Sequence, residues 1–126
     1  MTLPVLAGPV YRARDTAEHA FGAANATVTE SLLADDFAGP RLAFVLAEHR
    51  RLFGAPVARG ANRVLVGHRT PAIMVAGDAV GGRAFPEGGA LVIEPLMAPA
   101  GDAFRVLGIL MPAPIEGGGF HACGGA

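Results

Sequence analysis

Pro40-Arg41-Leu42-Ala43-Phe44-Val45-Leu46-Ala47-Glu48-His49-Arg50-Arg51-Leu52-Phe53-Gly54 is the segment with the clearest helical periodicity in the chain. Leu42, Val45, Leu46, His49, Leu52 and Phe53 recur at spacings of three and four, the stripe that a helix turns toward a core. Pro40 stands at a first-turn position, where its missing N–H costs nothing, and Gly54 and Pro56 stop the helix. Arg50 and Arg51 stand near its end, where the helix dipole favours cations. A helix over 40–53 with one apolar face needs another layer to cover it.

On either side of this helix the chain changes character. Ahead of it, Leu3–Leu6 and Val10–Arg14 read as short strands, and Asp15-Thr16-Ala17-Glu18 has the spacing of a capping box that opens a short helix ending at Gly22. A further turn covers Thr29–Leu33, and Asp35 and Asp36 read as N-caps. Beyond Ala61 come β-rich runs punctuated by Gly and Pro: Arg63–His68, Ala72–Val75, Ala90–Leu96 and Phe104–Leu110. Gly81-Gly82 and Gly88-Gly89 mark loops, Ala100-Gly101-Asp102 suits a hairpin connection, and residues 71–89 read as an extra hairpin or an insertion. The expected fold class is α+β, with one antiparallel sheet of about five strands and helices packed on one face. It spans residues 1–116 as a single domain, followed by a flexible glycine-rich tail at 117–126.

Composition supports one folded domain and removes several chemistries. The chain has 126 residues, 52% of them hydrophobic and 17% charged, enough to bury one core. It contains no lysine, which excludes a P-loop lysine and a Schiff-base lysine. Ser31 is the only serine and has no glycine-bounded elbow around it, so serine-hydrolase chemistry is disfavoured. The net charge is −1, with six arginines concentrated between residues 41 and 69, and few aromatics accompany them; no nucleic-acid surface is expected. One cysteine, Cys123, precludes an intrachain disulfide, and no apolar run approaches the ~20 residues that span a bilayer. The start of the chain lacks the pattern of a signal peptide, so the expected location is cytoplasmic, away from membranes.

Tyr11-Arg12-Ala13-Arg14-Asp15-Thr16 followed by Phe21-Gly22, then Gly54-Ala55-Pro56-Val57, Glu94-Pro95-Leu96 and Arg105-Val106-Leu107-Gly108 resemble strings of the PAS domains, in particular an alphaproteobacterial family of small sensor-like proteins. The resemblance covers residues 10–113. Asp15 stands where that family usually has glycine, the segment before Tyr11 is short for a full first strand, and residues 71–89 have no counterpart. It implies a non-catalytic regulatory or protein-interaction module that usually forms a homodimer. On this reading a small apolar ligand would sit between the long helix and the sheet, against Leu42, Val45, His49, Leu52, Phe53, Val92 and Leu107. Haem-binding PAS domains use a histidine of the long helix as axial ligand, so the resemblance marks His49 for that role; no other cofactor is implied.

Two other classes remain open on the same residues. Ala23–Ala26 through Leu32–Phe37 looks like the helix and acidic-aromatic turn of NTF2-like enzymes of the SnoaL type, in which Asp35, Asp36 or His68 would serve as general base. A structural subunit of a homo-oligomer is the other. Glu48 and His49 are helix neighbours and cannot face one another. His121 and Cys123 could bind a metal, but a structural site needs four ligands, so no metal centre is expected. Met97, Phe104, Leu107 and Met111 read as core rather than as a cofactor box.

Overall fold

Two separate β-structures make up the fold in a computed structural model, which describes residues 1–80, 83–96 and 103–113. Strand β1 (Thr2–Ala7) lies at the centre of a three-stranded parallel sheet, with β2 (Ala26–Val28) on one edge and β3 (Arg63–Val66) on the other. Strands β4 (Ala90–Pro95) and β5 (Phe104–Leu110) form an antiparallel pair of their own. The fold is therefore mixed α and β. The single antiparallel sheet expected from the sequence is replaced by these two units, and the cone of an NTF2-like sheet is not formed by the described residues.

Two segments account for the difference. Val10–Arg14, read as a strand, belongs instead to helix α1 (Tyr11–Phe21). Its buried stripe is Ala13 and Ala17, continued by Phe21. Alanine carries too little hydrophobic signal to reveal a helical period, whereas the exposed Tyr11 imitates a strand residue. Asp15 and Glu18 consequently lie inside the helix and not at its cap. Ala72–Val75 belongs to helix α4 (Arg69–Ala76), and the segment read as an extra hairpin or insertion holds that helix, a 3-10 turn at Gly77–Ala79 and an irregular stretch at 83–89. Pro71 sits in the first turn of α4, where a helix accepts proline.

The remaining readings place elements where the structure has them. The long helix is α3 (Leu42–Gly54), preceded by a short helix α2 (Asp35–Ala38) and 3-10 turns at Glu30–Leu32 and Gly39–Arg41. Asp35 and Asp36 occupy the first turn of α2, whose N-cap is Ala34; they are not caps themselves. The tail at 117–126, the Ala100-Gly101-Asp102 connection, Gly81-Gly82, Met97, His121 and Cys123 lie outside the described residues.

Parallel strands cannot be joined by tight turns, so each crossover carries helix. α1 runs from β1 to β2, and α2 and α3 lie between β2 and β3. α1 packs across all three strands, burying Val5 and Ala7 against Ala17, with Phe21, Ala26, Val64 and Val66 around them. A second cluster joins Leu33, Ala38 and Val45 to Val10 and Leu42. α3 carries the antiparallel pair: the rings of Phe53 and Phe104 meet edge to face, with centroids 5.3 Å apart. Ser31 ties the turn before α2 to α3 by donating to Glu48 Oε1 at 2.8 Å, and the same carboxylate accepts from Arg51. That pairing holds the Glu48 carboxyl below its ordinary value, with the Arg51 hydrogen bond the larger cause and Ser31 next.

Pro4 interrupts the central strand. It has no N–H to give, and the β1–β3 register shifts between Thr2 and Leu6, where Pro4 stands. Among the described residues, no helix is long and apolar enough to cross a membrane.

Leu32 is 1% exposed at the junction of these layers, whereas Leu110 is 60% exposed on the antiparallel pair. Leu32→Ala should lower the unfolding free energy by about 2–5 kcal/mol in urea titrations. Leu110→Ala should change it by no more than about 0.5 kcal/mol. Equal losses in the two variants would contradict this placement of the core.

Candidate functional site

The strand order β2-β1-β3 means that the chain leaves β1 toward one side and returns to pair on the other. In open parallel sheets, the crevice outside the carboxyl ends of the strands at such a reversal is where ligands bind. Here that point lies between β1 and β3. Both strands leave it in the same way, an apolar run followed by glycine and then a helix: Leu6-Ala7-Gly8 leads to α1, and Leu65-Val66-Gly67 leads to α4.

The backbone is tightly drawn together there. Gly8 N–H donates to the Val66 carbonyl at 3.0 Å, and Thr29 N–H donates to the Ala7 carbonyl at 2.8 Å. A Cβ at Gly8 would lie 2.4 Å from the Leu32 carbonyl oxygen and 3.4 Å from His68 Nε2. Only glycine lets β1 and the turn at Glu30–Leu32 approach this closely, and the His68 ring stands at ordinary contact distance beside them. Both α1, capped by Val10, and α4, capped by His68, begin without a side-chain cap on their first N–H groups. Two helix amino termini therefore flank the crevice with unused donors and positive dipole ends.

His68 is the central side chain. It is half-buried, and its Nε2 is buried without a hydrogen-bond partner. Burial is the largest influence on its ionisation and lowers its pKa; the Arg12 guanidinium lowers it further. Asp36 and Asp35 push the other way, and His49 again lowers it. The net direction is downward, so His68 is a neutral imidazole at neutral pH, with Arg12 from α1, the acidic pair from α2 and His49 from α3 around it. Arg12 forms no ion pair among the described residues. Arg69, at the start of α4, is instead committed to the Phe85 carbonyl at 2.5 Å.

His49 belongs to the buried stripe of α3. It is 2% exposed, and its Nδ1 stands 2.7 Å from the Val45 carbonyl oxygen. A carbonyl only accepts, so Nδ1 carries the proton. Burial depresses the His49 pKa, partly offset by that hydrogen bond, which leaves Nε2 as an acceptor without a partner.

The pocket expected between the long helix and the sheet is not assembled as a unit. Val45, His49, Leu52 and Phe53 are buried and Leu42 is half-buried, as a helix stripe should be. Val92 and Leu107, however, are 37% and 55% exposed, on the outward face of the antiparallel pair. The inward face carries Ile93, Val106 and Phe104 instead, because strand side chains alternate and a one-residue choice of register selects the opposite set. The contact with α3 is closed by Phe53 against Phe104. A haem does not fit at His49, whose ring is enclosed and meets Phe53 edge-on with centroids 6.0 Å apart. Among the described residues, no three His, Cys, Asp or Glu side chains are placed to share a metal ion.

Two open hollows lie on the described surface. One runs along α1 from Tyr11 and Arg12 to His19 and Ala20, beginning beside the crevice. The other lies at the amino end of β1, among Thr2, Leu3, Arg51 and Arg63. That second hollow is at the end of the sheet opposite the chemistry, and the topology favours the first. Of the residues singled out by sequence, the structure brings together His68, Asp35, Asp36 and His49. Arg12 and Gly8 are additions, and the repeated apolar-Gly-helix junction is the signal that could have found them.

Gly8→Ala should destabilise the chain by about 1–3 kcal/mol, because its methyl would overlap backbone. Gly67→Ala should be tolerated, since its Cβ would come no nearer than 3.8 Å to a Leu32 methyl. Thermal unfolding of both variants compares them directly, and a Gly8→Ala chain as stable as wild type would refute the close approach.

His49 and His68 are both held below the ordinary imidazole value of 6.5, so the unfolded chain takes up protons at a pH where the folded chain does not. Stability should be level above that value, fall as pH drops below it, and level again beneath the folded-state pKa values. Urea midpoints measured between about pH 8 and 5 should fall in that window, and a midpoint rising with acidity would have the wrong sign. No family model matches the chain, and no similar protein was found among curated proteins or solved structures, so the functional reading rests on this geometry.

Proposed function

We propose that the chain binds a small phosphate ester in the crevice at the carboxyl ends of β1 and β3 and carries groups suited to phosphoryl chemistry there. The observation that supports this most is the meeting of Arg12, His68 and the Asp35–Asp36 pair where two uncapped helices begin. First-turn N–H groups and the dipole of a helix favour an anion, and a guanidinium matches the paired oxygens of a phosphoryl group. On this reading Arg12 and the opening turns of α1 and α4 hold the phosphoryl oxygens. The neutral imidazole of His68 exchanges a proton with the bound group. On turnover that imidazole accepts the proton of a water attacking phosphorus, and the imidazolium returns it to the ester oxygen as the phosphorus–oxygen bond breaks. Asp35 and Asp36 disfavour a highly charged polyanion, which favours a monoester of modest charge.

The regulatory role suggested by the resemblance keeps its binding component on this reading, with the ligand polar and not apolar and its place moved from α3 to the crevice. The expected homo-oligomer finds support in Val92, Leu107 and Leu110, which leave the outer face of the antiparallel pair apolar and exposed.

Titration with inorganic phosphate and phenyl phosphate, followed by amide NMR, should shift Gly8, Arg12, Gly67 and His68 together. Arg12→Ala should weaken binding about tenfold or more while leaving thermal stability unchanged, the loss expected of one charge-assisted contact. Release of phenol from phenyl phosphate would add turnover to binding. Absence of any shift at these amides with millimolar ligand would remove the proposal.

A further inference from the structure

Gly108 stands in the middle of the aliphatic strand β5, and nothing among the described residues requires glycine there. Its φ is not positive, and a Cβ built on it would meet no described atom within 4 Å. A glycine inside a strand marks a place where a ligand or another chain approaches closely. The space over Gly108 is flanked by Leu107 and Leu110, both exposed on the outward face of the antiparallel pair.

Cross-strand partners in an antiparallel pair share a face. Along the outward face the register couples Ala90 with Leu110, Val92 with Gly108 and Glu94 with Arg105, and Leu107 is the extra residue of the bulge. Each couple joins unlike members. Two set a small residue beside a larger one, and the third sets an acid beside a base, with Arg105 donating to the Glu94 carboxylate.

We propose that this face docks onto the same face of a second copy, about a two-fold axis that runs parallel to the strands between the two sheets. That axis sets β4 of one copy over β5 of the other at the same level, so each couple meets itself reversed. Leu110 then covers the partner's Ala90, Val92 fills the space over the partner's Gly108, and Arg105 faces the partner's Glu94. The two charge pairs become an alternating square of four. An axis across the strands would instead lay Glu94 and Arg105 on Ala90 and Leu110, burying charge against apolar carbon. Sheets stacked with their strands aligned form a sandwich about 10 Å thick. The inference rests on the homo-oligomer of the reading above and adds its face, axis and register; the phosphate crevice plays no part in it.

Sedimentation velocity over a concentration series should show a wild-type dimer. Glu94→Arg sets arginine over the partner's Arg105, and Arg105→Glu sets glutamate over the partner's Glu94. Each variant alone should need about a tenfold or greater increase in concentration to dimerise. Mixed in equal amounts, the two variants should recover the dimer, because each like-charged chain then meets its opposite. Gly108→Leu should be monomeric with an unchanged circular dichroism spectrum, since its side chain takes the place of the partner's Val92. Were Gly108→Leu not to fold, the charge variants and their mixture decide alone. A wild-type dimer indifferent to the substitutions would overturn this face and axis while leaving the homo-oligomer standing. A wild-type chain monomeric at every concentration would overturn both, the face then being covered by another segment of this chain or by a different protein. Neither result bears on the phosphate titration.

Discussion

β1 shares parallel ladders with β2 and β3, one on each edge, and the rest of the molecule is arranged around that constraint. A parallel neighbour is reached only by carrying the chain back over the sheet. α1 does this on the way to β2, and α2 with α3 on the way to β3. Because the two journeys end on opposite edges, the carboxyl ends of β1 and β3 are left side by side at a gap that Leu32 enters, close to Gly8 and Gly67. α1 and α4 both begin at that gap, and their opening turns deliver Arg12 and His68 to it. The site is thus a consequence of strand order before it is a consequence of any one side chain.

The sequence disclosed the elements whose apolar residues are large. Leu42, Val45, Leu52 and Phe53 announce α3, and the aliphatic runs announce β1, β3, β4 and β5. It concealed those whose burial rests on alanine or whose apolar run is too short for a period. α1 is the decisive case, since reading Val10–Arg14 as a strand turns a crossover helix into a sheet edge and makes a parallel sheet invisible. α4 is the second: Ala72-Ile73-Met74-Val75 suits a strand and a helix equally, and Pro71 decides between them only once it is recognised as a first-turn residue. With both helices misassigned, the site could be read only in fragments. His49, His68, Asp35 and Asp36 each drew attention for its chemistry, but their meeting depends on tertiary packing. Arg12 and Gly8 drew none, because a strand arginine and a loop glycine carry no special expectation.

The antiparallel pair shows how little separates one face from the other. β5 presents Phe104 and Val106 inward, and the register shifts between Val92 and Ile93 so that Ile109 still faces inward beside Leu91. Such a bulge lets a strand keep its apolar residues on the core across a change of phase. Choosing Val92 and Leu107 as pocket residues requires the opposite phase, which would turn the Phe104 ring away from Phe53.

Pairing between residues as far apart as Ala7 and Val66 also has a cost in time. β1 gains its β3 partner only after both intervening crossovers have been made, and contacts of such long sequence separation form slowly. Until then an aliphatic strand offers an unfilled edge to any other chain in the same condition, the usual route to aggregation of a folding intermediate. Pro4 stands in the middle of that strand without an N–H to share. The same residue that breaks the native ladder between Thr2 and Leu6 makes β1 a poor template for foreign strands, so a local loss of pairing in the finished fold serves as protection during its assembly.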